Sequence, residues 1–285
     1  MKKQWINVLN VDIYCEHILN GKPPILLIHG FLSSTYTYNR LIPLLEKSFS
    51  IVAIDLPGFG RSEKSTSFIY SYEKYGELVS ACMDYFHFDQ VTIVGHSMGG
   101  QIALNVSKLV PERVNKLILL CSSGYLKKAN KLLIYSSYLP FFHHLVALHV
   151  KKKGVKASLQ NVLYNHELIT EEMMTEYKRP FLEKAFYKSL VRLLRYREGD
   201  LTTEQLKAIQ IQTLLLWGEE DKVVPLEIGK RLVQDLPNAQ LIKFKNAGHL
   251  LTDDIPERVY ENIMHFIFGG TNKNEDLYVE AQTNG

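Results

Sequence analysis

The sequence predicts an α/β protein with a mostly parallel, eight-stranded sheet and helices on both faces. Apolar strand-like runs alternate with helical patterns along the 285 residues, and this alternation requires a largely parallel sheet. Most of these runs are apolar almost throughout, as is typical of strands covered on both sides. The hydrophobic share of 46% is enough for a sizeable core.

The elements are predicted in chain order. WINV and VDIYC, on either side of Asn10, indicate an opening antiparallel hairpin. Further strands are predicted at ILLIHG (25–30), SIVAIDL (50–56), VTIVGH (91–96), VNKLILLCS (114–122), QTLLLWG (212–218) and AQLIKFKNAG (239–248). Helices are predicted over 36–47, 71–86, 98–110, 225–235 and 256–268.

One long interval interrupts the alternation. Residues 123–200 show helical periodicity without a convincing strand, so we expect a helical cap inserted after the sixth strand. Residues 1–122 and 201–268 then form the α/β core. The polar tail at 269–285 is expected to be disordered.

Composition excludes several classes of protein. A net charge of +3 is too small by itself to indicate nucleic-acid or membrane binding. No run approaches the roughly 20 apolar residues of a membrane span, and the basic start lacks the pattern of a signal peptide, so we expect a cytoplasmic protein without membrane insertion. Cys15, Cys82 and Cys121 lack metal-type spacing and are expected to be reduced thiols, so no metal site is predicted.

The stretch GHSMGG (95–100) follows a predicted strand and precedes a predicted helix. G-x-S-x-G in that position is the nucleophile elbow, a strained turn in which only small neighbours avoid clashes. Gly95 and Gly99 provide this room, so Ser97 is the candidate nucleophile. The alternative is an ordinary tight turn.

A serine nucleophile needs a base and an orienting acid, which follow it along the chain when it sits on such an elbow. Asp221, in the loop GEEDKVVP, is the predicted acid, whereas Glu219 and Glu220 are interpreted as a solvated cluster before a helix. His249, in the loop NAGHL, is the predicted base. Oxyanion donors are predicted at the backbone amides of Met98 and Phe31, with the Phe31 ring near the acyl group.

Five segments occur in the sequence in this order: HGF, DLPGFGRS (55–62), GHSMGG, GEEDKVVP and NAGHL. Through these segments the chain resembles the α/β-hydrolase superfamily over about residues 20–268, specifically its cap-bearing, serine esterase-like branch. Epoxide hydrolases and haloalkane dehalogenases of this superfamily carry an aspartate where Ser97 stands, so the resemblance disfavours those activities. Proline iminopeptidases usually have a different loop in place of HGFLS. Carbon–carbon bond hydrolases and cofactor-free haloperoxidases or perhydrolases remain alternatives.

The predicted cap carries 14 Lys plus Arg against 7 Asp plus Glu. We interpret these charges as a solvated face, and a basic rim that attracts acidic substrates is the alternative. Aromatic residues near its start predict an apolar roof over Ser97, although a helix-packing face would explain them equally well; they are Tyr125, Tyr135, Tyr138, Phe141 and Phe142.

Together these features predict a serine carboxylic ester hydrolase that acts on a small, mainly apolar substrate and uses no cofactor. A small-molecule receptor or signalling binder that retains the triad but turns over slowly is the alternative from another class, and whether a protein partner exists is left open.

Overall fold

A single nine-stranded sheet organises the protein in a computed structural model that describes residues 1–269 and 279–281. The strands are β1 (Lys2–Val8), β2 (Val11–Ile18), β3 (Pro24–Ile28), β4 (Ser50–Ile54), β5 (Val91–His96), β6 (Val114–Leu120), β7 (Thr213–Gly218), β8 (Ala239–Phe244) and β9 (Val279–Ala281). Their order across the sheet is β1-β2-β4-β3-β5-β6-β7-β8-β9.

The sheet is parallel in its centre and antiparallel at its edges. β1 and β2 form the predicted hairpin, in which Val8 pairs with Val11, and β2 continues antiparallel onto β4. From β4 through β3 to β8 every pairing is parallel. The eight-stranded, mostly parallel prediction is therefore confirmed.

The ninth strand lies in the tail for which the sequence predicts disorder. β9 pairs antiparallel with β8, with Ile242 opposite Val279. The rest of that prediction falls on residues 270–278 and 282–285, which lie outside the described residues.

Twelve α-helices are described: α1 (Ile42–Leu45), α2 (Tyr72–Tyr85), α3 (Met98–Leu109), α4 (Lys131–Ser136), α5 (Phe142–Lys153), α6 (Val155–Val162), α7 (Glu171–Lys178), α8 (Lys184–Tyr196), α9 (Thr203–Lys207), α10 (Leu226–Asp235), α11 (Leu251–Asp254) and α12 (Pro256–Phe268). Short 3₁₀ turns occur at Thr35–Tyr38, Pro111–Arg113, His166–Leu168 and Arg179–Leu182.

The helix predicted over 36–47 is broken in the structure. A 3₁₀ turn capped by the Ser34 hydroxyl occupies its first part, and α1 occupies its second part. Pro43 lies in the first turn of α1, where its ring is tolerated; in the middle of one continuous helix it would clash with the preceding turn.

The core is centred on the sheet. β4, β5 and β7 are buried along their whole length, as expected for strands covered by helices on both faces. Trp217 on β7 and Tyr38 are among the largest side chains that are fully buried.

Between β6 and β7, residues 123–200 contain α4–α8 but no strand, and we call this segment the insert. This insert is tied to the core by a 2.9 Å ion pair between Arg61 and Glu176 and by a hydrogen bond from Arg192 to the Phe68 carbonyl. No helix among residues 1–269 combines the length and the apolar character needed to cross a bilayer.

Candidate active site

Ser97 sits on a tight turn between β5 and α3. Its φ of 53° and ψ of −118° lie in a region that costs free energy for any residue with a side chain. The neighbours must be glycines because space is lacking: a Cβ on Gly99 would lie 2.2 Å from the carbonyl oxygen of Ile28, and one on Gly95 would lie 2.5 Å from that of Gly99. The turn thus holds the serine in the elbow conformation that the motif predicts.

Asp221 and His249 meet at the carboxyl ends of neighbouring strands. Asp221 lies in the loop between β7 and α10, His249 follows β8, and Nδ1 of the histidine is 2.7 Å from Oδ2 of the aspartate. Both side chains are buried. Oδ1 of Asp221 accepts hydrogen bonds from the amides of Val223 and Val224 at 2.7 and 2.9 Å. Burial favours a higher pKa of Asp221, but the hydrogen bonds from His249 and these amides outweigh it and lower the pKa from its ordinary value.

The two other acidic residues of this loop have different partners. Oε2 of Glu220 accepts a hydrogen bond from the amide of Ala247 at 3.0 Å. Glu219 forms a 3.4 Å ion pair with Lys243. Of the three carboxylates, Asp221 is therefore the one hydrogen-bonded to His249.

The loop that carries His249 is held by backbone contacts from the insert. The carbonyl oxygen of Val162, at the end of α6, accepts hydrogen bonds from the amides of His249 at 2.8 Å and Leu250 at 3.1 Å. On the other side, Nε2 of His96 donates to the carbonyl oxygen of His249 at 2.9 Å. Burial and the neighbouring His249 lower the pKa of His96 to about 3, so its ring is neutral and serves to order this loop.

A cavity of about 490 Å³ opens beside Ser97. Its lining is largely aliphatic and comes from α8, from the loop before α10 and from α10 itself. The lining residues are Phe31, Tyr72, Ser97, Met98, Ser123, Gly124, Leu126, Leu190, Leu193, Leu194, Arg197, Val223, Val224, Pro225 and Ile228. A buried acid–base pair and an elbow serine beside such a cavity can carry out acyl transfer.

A family model described as the alpha/beta hydrolase fold matches residues 23–254, which is most of the chain. The chain belongs to the α/β-hydrolase family. The resemblance found in the sequence motifs is thereby confirmed at the level of the family, and the protein is a hydrolase.

Relatives of this α/β hydrolase differ in what their names state. The chain is 45% identical over 258 residues, 90% of its own length and 94% of the relative, to the uncharacterised hydrolase YugF of Bacillus subtilis. It is 25% identical over 250 residues, 83% of its own length and 84% of the relative, to a 2-hydroxy-6-oxononadienedioate/2-hydroxy-6-oxononatrienedioate hydrolase of Cupriavidus pinatubonensis. A putative lipase of Acinetobacter baumannii matches in structure, with a TM-score of 0.77, 26% identity, and coverage of 93% of this chain and 90% of the lipase.

Cys121 lies close to the Asp221–His249 pair. Its Sγ, a carboxylate oxygen and an imidazole nitrogen lie within 4.8 Å of one another. Burial and the nearby carboxylate raise the pKa of the Cys121 thiol well above its ordinary value. A metal would need the thiolate, so a thiol that stays protonated beside a hydrogen-bonded Asp–His pair makes a poor donor set for an ion.

The aromatic residues expected to form a roof over Ser97 are not in the lining of this cavity. The Tyr125 hydroxyl donates to Asp235 at 2.8 Å, and Tyr138 stacks on the Arg195 guanidinium at 4.1 Å. Phe141 is exposed, and Phe142 lines a separate cavity. The leucines of α8 line the site instead, and Phe31 also lines it.

Arg197 is the basic residue in the cavity lining, and it has partners within the protein. Its guanidinium lies 3.6 Å from a carboxylate oxygen of Asp200 and donates to the Tyr72 hydroxyl at 3.3 Å. Asp200 is itself held by the Ser123 hydroxyl at 2.9 Å. An internal carboxylate therefore balances the positive charge at this end of the cavity.

The residues that sequence reasoning missed are of two kinds. Leu190, Leu193 and Leu194 belong to a helix of the insert whose apolar positions gave no indication of which ones face the site. The Val162 carbonyl is a backbone group, and no side-chain pattern could reveal it.

Proposed function

We propose that this α/β hydrolase is a serine esterase that cleaves small, neutral, mainly apolar carboxylic esters through an acyl-enzyme intermediate. The observation that carries the proposal is the buried 2.7 Å hydrogen bond between Asp221 and His249, on loops at the same edge of the sheet as the elbow of Ser97. This combination is that of a nucleophile with an oriented base.

The reaction follows from these positions. Nε2 of His249 takes the proton of the Ser97 hydroxyl as its oxygen attacks the ester carbonyl, while Asp221 stabilises the imidazolium through Nδ1. The backbone amides of Met98 and Phe31 stabilise the oxyanion; Met98 is the first residue of α3, so its amide has no carbonyl partner within the helix. The imidazolium then protonates the leaving alcohol, and water activated by the same histidine releases the acid.

The lining of the cavity supports neutral rather than anionic substrates. Its side chains are mostly aliphatic, and the Arg197 guanidinium is already paired with Asp200. The volume of about 490 Å³ accommodates an acyl chain of modest length. A salt series with neutral and anionic esters of equal size tests this: the two should respond alike, whereas a steep salt dependence of the anionic ester alone would favour a basic rim.

Carbon–carbon bond hydrolysis is the second candidate, because one relative carries the name of a 2-hydroxy-6-oxononadienedioate hydrolase. Such a substrate is a dianion and needs a cation free to bind a carboxylate, which the pairing of Arg197 disfavours.

A panel of p-nitrophenyl esters of increasing acyl length, assayed beside a 2-hydroxy-6-oxo dienoate, separates the candidates. We expect the best ester to have the higher kcat/KM and Ser97→Ala to abolish its turnover. A higher kcat/KM for the dienoate would contradict the ester proposal and favour carbon–carbon bond hydrolysis. Tight binding of a ligand with negligible turnover of every substrate would favour a receptor that retains the triad.

A further inference from the structure

α4, α5 and the connection between them expose an unusual number of large apolar side chains. Eight of them, between Leu132 and Leu148, are between 44% and 76% exposed. They are Leu132, Leu133, Tyr135, Tyr138, Leu139, Phe141, Leu145 and Leu148, and we call them the apolar face of the insert. Exposed apolar residues are normal when scattered singly, but a concentration within one short segment of the chain marks an interaction surface.

α5 is apolar on two sides. Val146, Ala147 and Val150 pack inward against the core, while Leu145 and Leu148 are exposed. Leu145 and Leu148 therefore form an apolar strip on the exposed side of a helix, where polar side chains are the norm. α5 also packs on α8, which supplies leucines to the cavity beside Ser97.

The charge of the same segment has one sign. Residues 124–166 include Lys127, Lys128, Lys131, Lys151, Lys152, Lys153 and Lys156, and not one aspartate or glutamate. The net charge of +3 for the whole chain conceals this local excess, because acidic residues elsewhere offset it. Lysines beside exposed leucines and aromatic residues are the composition of a helix that lies in the interface of an anionic bilayer.

We propose that the apolar face of the insert docks peripherally on a lipid bilayer with anionic headgroups. The lysines would contact the headgroups, and the leucines would enter the boundary between headgroups and acyl chains. A second copy of the chain fits poorly, because it would bring this acid-free, lysine-rich segment against an identical one. A fluid lipid layer also requires no shape-complementary pocket, and it accommodates side chains that project separately from two helices and their connection.

The docking position has a consequence for access to the site. Leu126, five residues before α4, is 53% exposed and also lines the cavity beside Ser97. A bilayer in contact with α4 and α5 would therefore lie next to one side of the cavity. The proposal concerns binding and does not depend on which bond the enzyme cleaves.

Co-sedimentation of the full chain with vesicles tests the proposal. We expect binding to equal mixtures of phosphatidylglycerol and phosphatidylcholine, weak binding to phosphatidylcholine alone, and weakening by salt. Lys151→Gln with Lys152→Gln should lower the partition coefficient about 30-fold. Leu145→Ser with Leu148→Ser should lower it about tenfold or more.

Matched controls separate this face from general charge and hydrophobicity. Leu9→Ser with Leu19→Ser removes leucines that are exposed outside the insert, and Lys2→Gln with Lys47→Gln removes exposed lysines there; both pairs should bind like the wild type. All variants should keep the wild-type melting temperature and rate on a soluble short-chain ester. Absence of vesicle binding, or equal losses in control and test pairs, would overturn the proposal. So would a dimer in sedimentation velocity that the Leu145→Ser, Leu148→Ser pair dissolves, because the face would then be a self-association surface.

Discussion

Replacing Asp221 with asparagine tests how the carboxylate acts on His249. The carboxylate accepts three hydrogen bonds, from His249 at 2.7 Å and from the amides of Val223 and Val224 at 2.7 and 2.9 Å. The asparagine oxygen can retain both amides, but its NH₂ group then faces Nδ1 of the imidazole. Nδ1 must become an acceptor and the proton moves to Nε2, so the imidazole can no longer accept the proton of Ser97.

The expected loss in kcat for Asp221→Asn is about 10⁴-fold, which corresponds to about 5.5 kcal/mol of transition-state stabilisation. The free energy of unfolding should fall by only about 2 kcal/mol, since one charge-assisted hydrogen bond is weakened and two backbone bonds remain. Steady-state hydrolysis of p-nitrophenyl butyrate and urea unfolding measure the two quantities.

Glu220→Gln is the matched control, because a glutamine oxygen can still accept the hydrogen bond from Ala247. It should retain kcat within about threefold. A loss of less than tenfold in Asp221→Asn, or an equal loss in Glu220→Gln, would refute the assignment of the orienting acid.

Three further predictions concern the elbow, the buried histidine and the cavity. Gly99→Ala should be insoluble or lose at least about 3 kcal/mol in urea unfolding, because its Cβ would lie 2.2 Å from a carbonyl oxygen. Gly76→Ala is the control and should be tolerated, because the nearest neighbour of its Cβ would lie at 3.6 Å. Equal stability of the two variants would contradict the steric reasoning. Burial lowers the pKa of His96 in the folded protein from 6.5 to about 3, so its ring is neutral there. As the pH drops below 6.5, this histidine becomes protonated in the unfolded chain but not in the folded one, and the free energy of unfolding therefore falls. His96→Gln keeps an N–H donor for the His249 carbonyl and should reduce the loss of unfolding free energy between pH 6.5 and pH 5 by about 2 kcal/mol. An unchanged dependence of the unfolding free energy on pH would refute this. Leu194→Trp should shift the preferred acyl chain to shorter lengths on the ester panel, with kcat for the shortest ester nearly unchanged; an unaltered preference would show that the acyl chain binds elsewhere.

Strands and helices could be predicted from the sequence wherever the pattern was long and had a clear end. β5 spans the predicted residues 91–96, and α12 spans the predicted 256–268, where Pro256 begins the helix. The continuous helix predicted over 36–47 was wrong, because the prediction followed the helical pattern and did not break the helix at Pro43. Strand β9 could not be foreseen, because its three residues lie in a polar stretch and pair only with an existing sheet edge.

The candidate site likewise contains residues that could be predicted from the sequence and residues that could not. Ser97, Asp221 and His249 each follow a strand whose order the sequence establishes, so their position at one edge of the sheet was predictable. The side chains of the insert that line the cavity were not, because they depend on how its helices are rotated over the core. Tyr138 and Leu190 show this: both are apolar positions of the insert, yet the first is exposed and the second lines the cavity.

Covalent labelling with a fluorophosphonate, followed by intact-mass measurement and peptide mapping, tests the central claim most directly. Phosphonates react with a serine whose hydroxyl is activated by a neighbouring base, so the proposed mechanism predicts one adduct per chain, on the peptide that contains Ser97. Ser97→Ala should fold normally, take up no label and lose at least about a thousandfold in ester turnover. An adduct on another residue, or unimpaired turnover by Ser97→Ala, would contradict the assignment of Ser97 as the nucleophile.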